Sequence, residues 1–197
     1  MRGNGRAGAR WRMAALVAGA CAAAQGGAAA AEGPSAPAAA DAARRGAYLV
    51  NGMGCNDCHT PYKMGASGPE PDATRTLSGH PESLAMPPAP PLSGPWMATV
   101  AATMTAWAGP WGVSYTANLT PDSETGLGRW TEQQFVDTIR SGRHLGRGRQ
   151  ILPPMPWPAI RNMTDDDLKA IFAYLRTIPP IRNKVPDPLP PASAPAQ

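Results

Sequence analysis

Two thiols and an imidazole stand together in Cys55-Asn56-Asp57-Cys58-His59. At this C-x-x-C-H spacing each thiol reaches one vinyl group of a single porphyrin to form a thioether, and the adjacent imidazole is carried under the iron as its proximal ligand. A redox-active C-x-x-C expects a βαβ context, and half of a zinc site expects a second pair of Cys or His ligands. The sequence offers neither, so one covalently bound haem c, with its iron, is the cofactor these residues imply.

A second iron donor is marked far downstream. Ile151-Leu152-Pro153-Pro154-Met155-Pro156-Trp157-Pro158 holds Met155 in a loop that proline stiffens on both sides. A Met thioether opposite His gives a six-coordinate haem with a raised reduction potential, suited to passing one electron. Most Met residues fill gaps in cores, and Met53, Met64, Met86, Met97, Met104 and Met163 are rivals, although Met53 lies too close to the attachment turn and Met163 abuts a helix cap. His80 and His144 are the candidates for bis-His ligation. Arg143, Arg147 and Arg149 lie in a Gly-containing loop that leads into the Met155 segment. Two uses fit them, neutralising haem propionates or attracting an acidic partner, beside the plain alternative of a solvated loop. Trp130 is a further propionate donor through its indole N–H. Asp122 and Glu124 lack the ligand spacing of a calcium loop and read as a polar turn.

The chain begins with Arg2, Arg6, Arg10 and Arg12 and no acid, followed by an apolar run from Met13 to Ala24 and small residues ending Ala29-Ala30-Ala31. That is the pattern of a secretory signal peptide over residues 1–31, too short and too rich in Ala and Gly for a membrane span. Trp11 separates Arg10 from Arg12, so there is no twin-Arg pair, and general secretion with a periplasmic destination is expected. Cys21 lies within this leader; it is either discarded on cleavage or read as a poor lipoprotein site. Four of the 18 Lys and Arg, and none of the 14 Asp and Glu, precede Glu32, so the chain after the leader is balanced and its basicity points to no nucleic acid.

Residues 32–197 suffice for one domain. An Ala/Pro linker at 32–40 and a Pro-rich tail at 184–197 flank a folded region at 41–183; the tail is extended, wrapped over the surface or disordered. Three helices are expected. The first runs from Ala42 to about Met53 with Asp41 as N-cap, and Gly54 turns it into Cys55. The second starts at Trp130-Thr131 with a Thr131/Gln134 capping box, buries Phe135, Val136 and Ile139, and stops at Gly142. The third runs from Thr164 to Ile178, with Asp165, Asp166 and Asp167 at its positive end. Without an alternating strand pattern the fold reads as mainly α, three to five helices around the haem. A Pro/Gly-rich insertion at about 63–117 is too long for an ordinary connection. Within it Trp96 to Trp107 reads as a short helix. The insertion serves either as a flap or docking surface or as a passive satellite.

Arg45-Gly46-Ala47-Tyr48-Leu49-Val50, the loop Asn118-Leu119-Thr120-Pro121-Asp122 with Glu124 to Trp130, and Asp166-Asp167-Leu168-Lys169-Ala170 through Tyr174-Leu175 resemble class I c-type cytochromes, bacterial monohaem cytochromes and cytochrome subunits of membrane-associated dehydrogenases among them. The resemblance implies a cytochrome c-like fold in which the first and last helices cross through a small residue, here Gly46 or Val50 against Phe172, Tyr174 and Leu175. It implies axial ligation by Met155, and a Pro carbonyl, from Pro69 or Pro71, accepting from the second nitrogen of His59. Such dehydrogenase subunits usually carry several C-x-x-C-H motifs, whereas this chain has one. The expected function is a periplasmic electron carrier between a donor dehydrogenase and an acceptor cytochrome or oxidase, not an enzyme, with membrane association through a partner or an anchor. Two alternatives stand beside it: a haem protein with an open distal site, binding small molecules or acting as a peroxidase, and a fixed subunit of an oxidoreductase complex.

Overall fold

The computed structural model describes residues 36–191. The leader expected at 1–31, with Cys21, and the segments 32–35 and 192–197 lie outside the described residues. In chain order the elements are α1 (Ala36–Gly52), α2 (Cys55–His59), β1 (Tyr62–Gly65), β2 (Gly68–Pro71), β3 (Thr99–Val100), β4 (Ala106–Gly109), β5 (Gly112–Tyr115), α3 (Glu132–Ser141), α4 (Trp157–Ile160) and α5 (Asp165–Leu175). Short 3-10 turns sit at Ala73–Arg75 and His144–Gly146.

Helix α1 starts at Ala36, earlier than the Asp41 cap suggested. The Ala-rich stretch before Asp41 favours helix, and Pro37 falls in the first turn, where a missing N–H is tolerated. Asp41 pairs with Arg44 instead. At α3 the capping box forms as expected: Thr131 Oγ1 accepts from the Gln134 N–H at 3.1 Å and Gln134 Oε1 from the Thr131 N–H at 2.9 Å. Gly142 ends that helix at φ 66°, its N–H bonding the Thr138 carbonyl. Helix α5 is capped by Thr164 and stops at Leu175, short of Ile178. Its first-turn acids do more than face a helix dipole. Asp165 pairs with Arg140 of α3 and Asp167 with Arg45 of α1 at 2.9 Å, and each arginine holds its carboxylate below the usual range.

Helices α1 and α5 cross at Gly46, which is buried. A Cβ there would overlap the Ala170 carbonyl and stand 2.7 Å from Tyr174 Cβ, so only glycine lets the two backbones approach this closely. Around the crossing, Leu49, Val50, Leu77, Leu127, Phe135, Val136, Ile139, Leu168, Ile171, Phe172 and Leu175 form the core. Phe135 of α3 meets Phe172 of α5 with ring centroids 5.4 Å apart, joining the third helix to the pair.

The insertion departs from the helical expectation. β1 and β2 form an antiparallel hairpin, and β3, β4 and β5 an antiparallel three-stranded sheet. Trp96 to Trp107 is not a helix: β3 and β4 lie within it, and between them the Met104 N–H bonds the Ala101 carbonyl at 2.8 Å and Met104 takes φ 60°. Spacing of Met97, Val100, Met104 and Trp107 matches a helix face, but Thr99-Val100 is β-branched and the segment is too short for helix propagation to override that. These strands are two to four residues long, too short for an alternating pattern to mark them in the sequence. The Pro-rich tail, as far as it is described, lies on the sheet, where Leu189 and Val113 exchange backbone hydrogen bonds of 2.9 Å. Among the described residues no helix is long and apolar enough to cross a membrane.

Replacing Gly46 with Ala gains about 1 kcal/mol of helix propensity but drives a methyl into backbone. A net loss of about 2 kcal/mol is expected, read as a lower urea midpoint; an unchanged or raised midpoint would sink the close-crossing account.

Candidate haem-binding site

Gly54 takes φ 69°, a left-handed conformation that lets the chain leave α1 and enter α2 at once. Cys55 and Cys58 then fall three apart on one face of a helical turn, with His59 closing it. Both cysteines are free and half-buried. Burial pushes the Cys55 thiol up to about 11 and raises Cys58 as well, where Asp57 adds to the effect. A redox-active C-x-x-C relies on a lowered thiol pKa, the opposite direction to the shift at both of these. Among the described residues no group of three or more His, Cys, Asp or Glu converges as a metal cage.

His59 is 8% exposed, and burial lowers its pKa, against the opposing pull of a hydrogen bond. That bond runs from Nδ1 to the carbonyl of Ala117 at 2.8 Å. A carbonyl can only accept, so Nδ1 carries the proton and Nε2 of the neutral ring keeps its lone pair. The acceptor is therefore Ala117, not Pro69 or Pro71: those two lie in and at the end of hairpin strand β2, whereas Ala117 lies two residues after β5. Gly79 fits against this carbonyl. At φ 76° it donates its N–H to the His59 carbonyl at 2.8 Å, and a Cβ there would stand 2.7 Å from the Ala117 oxygen.

Two free thiols on one face of a turn and a buried imidazole with one nitrogen uncommitted fit the donor set of a c-type haem. No family model matches the chain. Over 81 residues it is 36% identical to the cytochrome c subunit of a quinone-dependent alcohol dehydrogenase from Gluconobacter oxydans, covering 40% of this chain and 17% of that protein. Over 131 residues it is 27% identical to the gluconate 2-dehydrogenase cytochrome c subunit of Pantoea cypripedii, covering 66% of this chain and 22% of that protein. It is also 38% identical over 68 residues to the fructose dehydrogenase cytochrome subunit of Gluconobacter japonicus, 34% of this chain and 14% of that protein. This chain is related to cytochrome c subunits of dehydrogenases. It spans less than a quarter of the length of these cytochrome subunits.

A cytochrome c subunit needs a second axial donor or an open position, and the Met155 loop lies between the 3-10 turn at His144–Gly146 and α4. Met155 is half-buried and packs against the core. Of its rivals, Met64 and Met97 are strongly exposed, while Met163 also packs on the core. The insertion reaches this loop: Ser114 of β5, buried, donates from Oγ to the Pro153 carbonyl at 2.5 Å. Trp157 packs on Gly142, and the Ile151 N–H bonds the Gly142 carbonyl at 2.8 Å, so the α3 cap fixes the loop from the other side. The sequence left open whether the insertion is passive. Ala117 at its end and Ser114 within it make it part of the support for both His59 and the Met155 loop, a role that no local motif advertises.

His80 is fully buried with both ring nitrogens engaged. Nε2–H donates to the Leu84 carbonyl at 3.1 Å, and Nδ1 lies 3.0 Å from Thr105 Oγ1. It is a structural imidazole with no nitrogen to offer iron. His144 is exposed and meets Trp130 edge-on at 5.1 Å. Trp130 is half-buried, and its indole N–H has no protein partner among the described residues. Arg143, Arg147 and Arg149 are exposed, and none forms a salt bridge among the described residues; Arg143 donates to the Gly148 carbonyl at 3.1 Å.

Burial lowers the pKa of His80 below the ordinary 6.5, with Arg75 adding to the effect. The unfolded chain therefore takes up a proton that the native state refuses, so stability falls as pH drops below about 6.5 and levels off beneath the depressed native value. Urea midpoints measured from pH 7.5 to 5.5 are expected to fall. His80→Gln, which preserves a donor and an acceptor, should flatten the slope; an unaltered slope would exclude His80 as its source.

Proposed function

We propose that this chain is a periplasmic monohaem c-type cytochrome that passes single electrons between a dehydrogenase and a respiratory acceptor. The observation that carries the reading is the state of His59, buried, neutral, tied to the Ala117 carbonyl through Nδ1 and free at Nε2, directly after two free cysteines. When bound, haem iron alternates between ferric and ferrous and so holds one electron at a time. Cys55 and Cys58 would hold the group through thioethers, and His59 Nε2 and Met155 Sδ would be the axial donors. Proline on both sides of Met155, with the Ser114 bond to Pro153, limits the conformations in which the thioether leaves its place. Trp130, with an indole N–H unshared among the described residues, and Arg143, Arg147 and Arg149, which form no salt bridge among them, are available to propionates or to an acidic redox partner. The leader pattern supports export, and the relatives named as cytochrome c subunits support a dehydrogenase as electron donor.

The test is an optical spectrum of the protein exported in a host with c-type haem maturation, beside Met155→Ala. Covalent low-spin haem with the far-red Met-to-iron band, lost in the variant, is expected. A spectrum untouched by the substitution would move the axial ligand elsewhere, a high-spin native spectrum would favour an open distal site, and absence of covalent haem would end the account.

One observation favours a fixed subunit over a freely diffusing carrier. From Ser83 to Pro121 there is no charged residue, and this stretch exposes Trp96 at 74% and Met97 at 69% beside a groove of about 400 Å³ lined by Pro90, Pro91, Leu92, Val100 and Trp107. A surface rich in Trp and Met and free of charge resembles the core of a lasting interface more than the charged patch of a transient encounter. Trp96→Glu with Met97→Glu should abolish co-purification with a dehydrogenase subunit while leaving the haem spectrum intact. Retained co-purification would remove this face from the interface.

A further inference from the structure

We propose that the C-terminal strap, the extended segment from Ile181 to Lys184 that follows α5, acts as a positioning clamp on the proximal side, with Asn183 as its key and Asn118 as its counterpart, and that it sets the strength of the His59 hydrogen bond. The inference rests on the reading of His59 as the proximal ligand.

The acceptor of that bond, the Ala117 carbonyl, is held between two segments that both answer to the strap. The next residue along the chain, Asn118, is 4% exposed and bonds to the strap. Its Nδ2 donates to the Ile181 carbonyl at 2.8 Å, with Thr125 Oγ1 at 3.2 Å and the Asn183 carbonyl at 3.4 Å, and its Oδ1 accepts from the Thr120 N–H and hydroxyl at 3.0 and 2.8 Å. On the other side runs the buried segment Leu77 to His80. Gly79 donates to the backbone carbonyl of His59 itself, the His80 N–H bonds the Thr116 carbonyl at 3.0 Å, and the missing Cβ of Gly79 leaves room for the Ala117 oxygen.

Asn183, 1% exposed, grips that segment from behind. Its Nδ2 donates to the Ser78 and His80 carbonyls at 2.7 and 2.8 Å, on either side of Gly79. Its Oδ1 accepts from Arg75 at 2.9 Å and from the Glu82 N–H at 2.8 Å. Both amide donors and both acceptor positions of the side chain are thereby used. Losing Asn183 would leave the two carbonyls without a donor and free Gly79 to shift against the Ala117 oxygen. The partner of a ligating His raises the basicity of the ring. A looser bond makes His59 a poorer donor, which favours the reduced iron and moves the reduction potential upward.

Asn183→Ala and the isosteric Asn183→Asp, which retains the acceptor but not the donor, are compared with native protein. Two controls accompany them: Arg182→Ala, which removes the exposed strap pairs to Glu82 and Glu124, and Ile139→Val, a core truncation. The readouts are the midpoint potential and, in the reduced protein, the His59 Nδ1–H proton resonance. Both Asn183 variants are expected to show a displaced resonance, and Asn183→Ala, which adds no charge, a raised potential, while Arg182→Ala and Ile139→Val keep native values despite any loss of stability. An Asn183→Asp protein with native potential and native resonance would overturn the proposal and leave Asn183 a purely structural residue, and that variant decides the matter if Asn183→Ala does not fold. A native protein without covalent haem would instead defeat the functional reading on which the proposal stands.

Discussion

An imidazole has two nitrogens, and one can serve as a fixed ligand only if the other is bound to something that does not move. In this chain the immobile partner is a backbone carbonyl, that of Ala117, 2.8 Å from His59 Nδ1. Much of the molecule can be understood as the means of keeping that oxygen still. The helix crossing at Gly46 places α1, and through Gly54 it places the turn that ends in His59. The sheet that ends at Tyr115 delivers Ala117 from the other direction. Burial makes the bond matter more, because a polar atom withdrawn from water has no substitute partner.

The same sheet serves the other end of the site. Ser114 and Ala117 lie three residues apart, one bonding the Met155 loop and the other His59. A displacement of β5 therefore reaches both at once, and the insertion behaves as a brace between two loops distant in sequence. Fully engaged His80, with its ring 4.7 Å from that of Tyr115, stiffens the same region from within. The charge-free stretch from Ser83 to Pro121 and the arginines after α3, which form no salt bridge among the described residues, give the surface two unlike regions, one suited to lasting contact and one to electrostatic encounter.

Helices were legible in the sequence where capping chemistry is local. Thr131 and Gln134 identify each other across three residues, Gly142 marks its own left-handed turn, and Gly46 stands out because glycine inside a helix needs a reason. The cysteine pair and His59 were legible for the same reason, being contiguous. What stayed hidden depends on distance along the chain. Nothing near Ala117 distinguishes it from any other alanine, since it contributes only a carbonyl. His80 is a candidate ligand by residue type alone, and only distant Thr105 and nearby Leu84, which occupy both its nitrogens, make it structural. The strands were missed because their four-residue runs are stabilised by pairing rather than by a pattern of side chains, and the apolar spacing from Met97 to Trp107 imitated a helix that β-branching and brevity disfavour.

Asn183 lies near the end of the described chain, whereas Cys55 and Cys58 lie near its beginning. A polypeptide that emerges N-terminus first shows its cysteine pair well before the strap exists. Until the last segment arrives, the Ser78 and His80 carbonyls lack their Asn183 donor. The support behind Gly79 is thus completed only once Asn183 has been made, long after the attachment turn.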